Sequence, residues 1–250
     1  DKKVFGEKHP SYASSLNNLA SFYSFLGNLK KAEPLYLESL IIRREVLGEE
    51  NPQYAMSLNN LGGLYESMGN FKKAESFLVD AIKLTKKTLG EEHPDYSLSL
   101  NNLASLYISM DAYEKAKPLA IEALEVTRKA LSEKHPSYGL TLHNLATLYK
   151  NMGNYDKAIM LHTQALEITK KNFGEGHSDY ALSLTSLGGL YDVMGVYDKA
   201  EILYLQALKI TRKTLGEAHL DYSLCLNNLA GLYISIGAYE KAEPLYLQSS

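Results

Sequence analysis

Tyr12, Tyr54, Tyr96, Tyr138, Tyr180 and Tyr222 stand 42 residues apart, as do Leu16, Leu58, Leu100, Leu142, Leu184 and Leu226. The same step links Tyr23, Tyr65, Tyr107, Tyr149, Tyr191 and Tyr233, and then Ala32, Ala74, Ala116, Ala158, Ala200 and Ala242. No insertion breaks the register. A chain that returns to itself at a fixed step builds one supersecondary unit repeatedly, each burying its apolar face against the next. The period therefore predicts a single array over residues 1–250, with repeats at about 9–50, 51–92, 93–134, 135–176, 177–218 and 219–250, the last one truncated.

Each unit reads as two helices. Tyr12, Leu16, Leu19, Ala20, Tyr23 and Leu26 form one apolar stripe at helical spacing. Pro10 suits the first turn, where a missing N–H costs nothing, and His9 or Asn51 falls near the N-cap. Gly27 supplies the left-handed residue of a tight turn, and Asn28 is expected to cap the second helix. That helix carries Ala32, Leu35, Tyr36, Ser39, Leu40 and Leu47 on its stripe and stops at Gly48. Both helices run roughly 17 residues, about 25 Å at the helical rise. Strand patterns are absent, so a propeller with blades of similar length is excluded. Pro34, Pro118 and Pro244 fall inside second helices and are expected to bend them, and Asp111 stands where most units have the turn glycine.

The residues separate this array from HEAT repeats of similar length. Leu16-x-x-Leu19-Ala20-x-x-Tyr23, then Gly27, then Ala32-x-x-x-Tyr36, resembles the tetratricopeptide (TPR) signature with Leu in place of Trp. Leu-Gly-Glu-x-His-Pro at Leu89–Pro94 and Leu-Asn-Asn-Leu-Ala in the first helix make it similar to the kinesin light chain type. The resemblance covers essentially the whole chain. It implies an all-α solenoid, a right-handed superhelix of helix–turn–helix repeats, with the small residue at Ala20, Gly62, Ala104, Ala146, Gly188 and Ala230 letting the second helix approach.

In TPR proteins the face of the first helix opposite the core lines a concave groove. Here that face stacks Ser14, Met56, Leu98, Leu140, Leu182 and Leu224 as an apolar row, beside Asn18, Asn60, Asn102, Asn144, Ser186 and Asn228. Next to these run Ser21, Gly63, Ser105, Thr147, Gly189 and Gly231. A carboxamide donates and accepts, so a row of them can pair with the main chain of an extended peptide whatever its sequence. The candidate peptide-binding residues are Asn17, Asn18, Asn59, Asn60, Asn101, Asn102, His143, Asn144, Lys150, Asn227 and Asn228. The competing reading gives the same amides to bonds between repeats. TPR clamps for carboxylates carry Lys or Arg on this face, and Lys150 is the single base near it, so a neutral or apolar segment is the expected ligand.

Five histidines, His9, His93, His135, His177 and His219, recur one per repeat at the junction and read as caps rather than metal ligands. His143 and His162 belong to repeat four alone and, with Lys150, make it the most individual unit. Thr185 and Ser186 break the Asn pair in repeat five, as the end of a ligand path would. Cys225, the one cysteine, excludes an internal disulfide and reads as a small buried residue. No constellation for catalysis, no phosphate loop and no metal spacing is visible, so a non-enzymatic chain without cofactor is expected.

The remaining expectations come from composition. A formal charge of −3 with both signs dispersed offers nucleic acid no basic stripe. No run of 18 apolar residues exists and no signal peptide is visible, so a soluble cytoplasmic protein is expected. Lys2, Lys3 and Gly6 match the end of a second helix and Ser250 aligns with mid-helix Leu40, so a segment of a longer array is expected. Two functions follow: a scaffold for a protein or peptide partner, or a structural array that packs on its own effector domain or associates head to tail.

Overall fold

The structure is a computed structural model that describes residues 9–249. Its described residues form twelve helices and no strand. The first helices of the repeats are α1 (Pro10–Phe25), α3 (Pro52–Ser67), α5 (Pro94–Ser109), α7 (Pro136–Asn151), α9 (Ser178–Val193) and α11 (Leu220–Ser235). The second helices are α2 (Leu29–Leu47), α4 (Phe71–Leu89), α6 (Tyr113–Leu131), α8 (Tyr155–Phe173), α10 (Tyr197–Leu215) and α12 (Tyr239–Ser249). The chain divides into two compact units between Ala130 and Leu131, each holding three helix pairs. The matches of Asp1–Gly6 and Ser250 to helix ends lie outside the described residues.

The expected punctuation is present. Each first helix is opened by a side-chain acceptor two residues before the N–H it binds. His9, His93 and His135 receive the amides of Ser11, Asp95 and Ser137 at 3.1 Å, and His177 and His219 those of Asp179 and Asp221 at 3.2 Å. Asn51 does the same for Gln53 at 2.9 Å. Each imidazole accepts through Nδ1, so its proton sits on Nε2. Asn28 occupies the N-cap of α2 but makes no side-chain cap bond, unlike Asn70 and Asn154, which receive the amides of Lys73 and Lys157. α2 and α6 run unbroken through Pro34 and Pro118.

Gly27 turns the chain with φ 71°, and Asp111 takes the same left-handed conformation at φ 55°. Ser132 sits at φ 80°, where the sister repeats have Gly48, Gly90, Gly174 and Gly216. A side chain there costs about 1 kcal/mol over glycine. Ser132→Gly is therefore expected to raise the unfolding free energy by about that amount, and Asp111→Gly by less, because aspartate tolerates the conformation better. Urea titration of the two variants checks it, and a loss of stability at Ser132 would contradict it.

Within each unit a second helix packs on its own first helix and on the first helix of the next repeat. Ala13, Leu16, Ala20, Ala32 and Tyr36 and their counterparts make the core. Leu19 departs from this: it is exposed, whereas within the units Leu61, Leu103, Leu187 and Leu229 at the same place are buried, because each of those is covered by a preceding second helix.

The excess of tyrosine also has a structural cause. Tyr65, Tyr107 and Tyr233 donate their hydroxyls to Glu33, Glu75 and Glu201 on the preceding second helix, at 2.7, 2.6 and 2.7 Å. Lys73, Lys115 and Lys241 lie over the same rings at 4.5, 5.0 and 4.9 Å. Burial, with the neighbouring carboxylate added, pushes these three phenols up to about 12.

Candidate functional site: the face shared by the first helices

Two carboxamides in sequence point about 100° apart on a helix, so a pair cannot serve one face. In the first unit Asn17, Asn59 and Asn101 are buried, the first two in the seam between neighbouring first helices. Asn60 Nδ2 donates to Asn17 Oδ1 at 2.7 Å, and Asn102 Nδ2 to Asn59 Oδ1 at 3.3 Å. Asn59 also donates to Ser99 Oγ at 2.8 Å. The amides of this unit thus tie repeat to repeat, which is the competing sequence reading, and correct the placement of Asn17, Asn59 and Asn101 on the outer face. Asn18 is exposed, while Asn60 and Asn102 are half-buried.

The second unit lacks this ladder. Asn144 and Asn228 are half-buried with no side-chain hydrogen bond among the described residues. Asn227 is exposed and accepts from Ser249 Oγ at 2.8 Å, turned toward α12 rather than along the face. Beside these amides the apolar row stands open: Leu140, Leu182 and Leu224 are 56%, 59% and 49% exposed. In the first unit Met56 and Leu98 are exposed in the same row and flank a small recess with Asn59 and Thr85.

The same face of the second unit holds a cleft of about 240 Å³ lined by His143, Thr147, Lys150, His162, Thr185, Ser186, Gly189, Tyr204 and Asn228. The His143 and His162 rings meet edge to face, 5.1 Å between centroids. Burial, then the Lys150 charge, depresses the His143 imidazole. Burial, then His143 and Lys150, pulls His162 down to about 3. Tyr204 is pushed up to about 12 by burial and by the charge of Asp192 beyond the cleft, whose own carboxyl is raised by burial. Thr185 and Ser186 line this cleft. His162 and Tyr204 come from second helices and reach the face because the first helix carries Ala146 or Gly188 opposite them. The signal for His162 was its departure from the tyrosine found at Tyr36, Tyr204 and Tyr246. Tyr204 gave none, since it follows the repeat.

Among the described residues no three of His, Cys, Asp or Glu converge as a bound metal requires. Cys225 is buried, with Thr211 Oγ1 at 3.7 Å, and burial pushes its thiol up, away from the nucleophilic thiolate. Among the described residues no helix is long and apolar enough to cross a membrane.

No curated protein matches the chain. Solved structures do. Nearly identical TPR-like repeats of a kinesin light chain-type protein from Podosopora anserina are 28% identical with TM-score 0.63, over 82% of this chain and 98% of that one. BtubC (BKLC) from P. vanneervenii is 24% identical with TM-score 0.66, over 95% and 89%. NprR, in complex with its cognate peptide NprX, is 18% identical with TM-score 0.65, over 95% and 66%. The tetratricopeptide repeat model matches residues 11–87, 95–171, 137–195 and 181–250. With almost every described residue inside those matches, the chain belongs to the tetratricopeptide repeat family, with repeats of the kinesin light chain type.

Proposed function

We propose that this interaction scaffold holds an extended segment of a protein partner along the first-helix face of its second unit. The observation that carries the reading is the open row Leu140, Leu182 and Leu224 beside the uncommitted amides of Asn144 and Asn228. Exposed apolar side chains aligned on adjacent helices gain by covering, and free carboxamides satisfy a ligand's main chain without demanding a sequence. A protein of this fold, NprR, has been solved with its cognate peptide, which supports the capacity of the fold. In the first unit the amides are spent between repeats, so it contributes Met56 and Leu98 more than main-chain bonds.

A random-peptide display screen tests this. The chain should retain extended peptides with apolar residues, and Leu140→Ser, Leu182→Ser and Leu224→Ser combined should weaken them about a hundredfold, at roughly 1 kcal/mol for each half-exposed side chain. Thermal stability should change little, because about half of each side chain is already exposed to solvent. Unchanged capture by the triple variant would remove the groove from the reading.

A second reading, association of copies end to end, is favoured by the outer helices. Phe22 on α1 is 55% exposed, whereas Leu64, Leu106, Leu148, Leu190 and Leu232 at its position are at most 1% exposed. Tyr246 on α12 is exposed and its counterpart Tyr204 buried. The two faces are those with which interior repeats stack, so they complement each other as a heterologous contact. Light scattering should show a mass that rises with concentration and reverts to the monomer in Phe22→Lys; a constant monomer mass would refute it.

A further inference from the structure

We infer that the outer strip of repeat three binds the outer strip of repeat five on a second copy of this chain, acidic strip against basic strip. The inference goes beyond the groove reading and concerns the second helices, not the first-helix face.

Each second helix forms an outer strip with the junction just before its repeat. In repeat three Glu91, Glu92, Pro118, Ile121, Glu125 and Lys129 border a recess of about 470 Å³ along α6. The same positions two repeats on, along α10, are Glu175, Gly176, Ile202, Leu205, Lys209 and Lys213. The apolar floor is kept and the charge is changed. Ile121 is 40% exposed, and Ile202 and Leu205 stand out at 64% and 45%.

The other repeats supply the control. In repeat two Lys83 meets Asp80 at 3.4 Å and Lys87 meets Glu50 at 2.5 Å, so that strip cancels most of its own charge. In repeat four Lys171 meets Glu167 at 3.8 Å. Repeats three and five do not cancel. Lys86 and Lys170 hold Glu91 and Glu175. That leaves Glu92, Glu125 and Glu122, which accepts from Tyr96 at 2.8 Å, against Lys129 in one strip, and Lys209 and Lys213 in the other. Glu92, Glu125, Lys209 and Lys213 are exposed and make no ion pair among the described residues.

The chain thus carries two strips with one kind of floor and opposite charge. Covering the exposed Ile121, Ile202 and Leu205 is favourable, and the charges select what covers them. Two acidic strips repel, as do two basic ones, whereas an acidic strip attracts a basic one. A second copy supplies the complement of each. The contact joins unlike patches, so it is heterologous. From Pro118 to Lys129 it follows about 17 Å of helix, the scale of a weak and reversible contact.

Sedimentation velocity of the whole chain tests this in the Phe22→Lys background, which silences an end-to-end contact. At about 10 mM salt the average mass should rise with protein concentration, and at about 150 mM it should fall toward the monomer, because salt screens exposed charges. Glu92→Lys with Glu125→Lys makes both strips basic, and Lys209→Glu with Lys213→Glu makes both acidic. Each pair alone should weaken association at least about tenfold. An equimolar mixture of the two variants should associate as the parent does, and so should a chain carrying all four substitutions. Lys134, Lys209, Glu125 and Glu45 are what other repeats carry at these four positions, so the helical signal should stay. A constant monomer mass at low salt, association indifferent to both charge reversals, or a mixture no stronger than its components would overturn the inference. None of these variants touches the leucine row, so peptide capture and this contact can fail separately.

Discussion

Gly62→Ala lowers the stability of the first unit by about 2 kcal/mol, although alanine is the better helix former. A Cβ at Gly62 would lie 2.5 Å from both Cγ and Cδ2 of Leu78. The obstructing atom is the branch point of a buried leucine, so Leu78 or a helix must move. Overpacking of this kind costs about 3 kcal/mol at the upper end, offset by about 1 kcal/mol of helix propensity. Leu78→Ala alone leaves a cavity and costs about 3 kcal/mol. The double variant recreates the buried pair Ala104 and Ala120 of repeat three, so its loss should fall short of the sum of the two by more than 1 kcal/mol. Chemical denaturation of the three variants decides this, and simple additivity would show that the two positions do not meet.

The second large effect is acid sensitivity centred on His162. Its folded imidazole titrates at about 3 against an ordinary 6.5, burial being the first cause and His143 and Lys150 the others. A depressed folded value means the unfolded chain binds the proton more readily. The stabilisation is whole above pH 6.5 and falls as the pH drops through the folded value. The slope is about 1.4 kcal/mol per pH unit below 6.5, so lowering the pH from 7 to 5 should cost the second unit about 2 kcal/mol. His143 works in the same direction. His162→Tyr places on α8 the residue that Tyr36 and Tyr204 provide beside Ala20 and Gly188, and should flatten the profile. A variant as acid-sensitive as the parent would relocate the titrating group.

The array was legible in the sequence because repetition multiplies each local signal. One Gly or His is ambiguous; Gly27 and its counterparts at one step, and His9, His93, His135, His177 and His219 at another, are a turn and a cap. The face was less legible. Asn59 and Asn60 carry the same functional group, and only the crossing of α3 with its neighbours decides which is buried. Side chains of the second helices were hardest to place, because whether they reach the face depends on the residue opposite. Arg43 shows the limit from the other side. It replaces the Thr of Thr85, Thr127, Thr169 and Thr211, is buried, and gives Nη1 to Ser57 Oγ at 2.7 Å and to the Gln53 carbonyl at 3.1 Å. Helical spacing marks it as a substitution but does not predict a guanidinium in the seam.

The tyrosine clamp has a mechanical consequence. In the second unit Tyr233 is held by Glu201, whereas Tyr191, its counterpart one repeat earlier, faces Ile159 at the carboxylate's position and keeps only Lys199 over its ring at 5.0 Å. Repeats joined only to their neighbours behave as links whose stiffness is set joint by joint. The joint between repeats four and five thus lacks the hydroxyl–carboxylate bond that the next joint of its unit has, and packs Tyr191 and Ile159 against a buried apolar cluster instead.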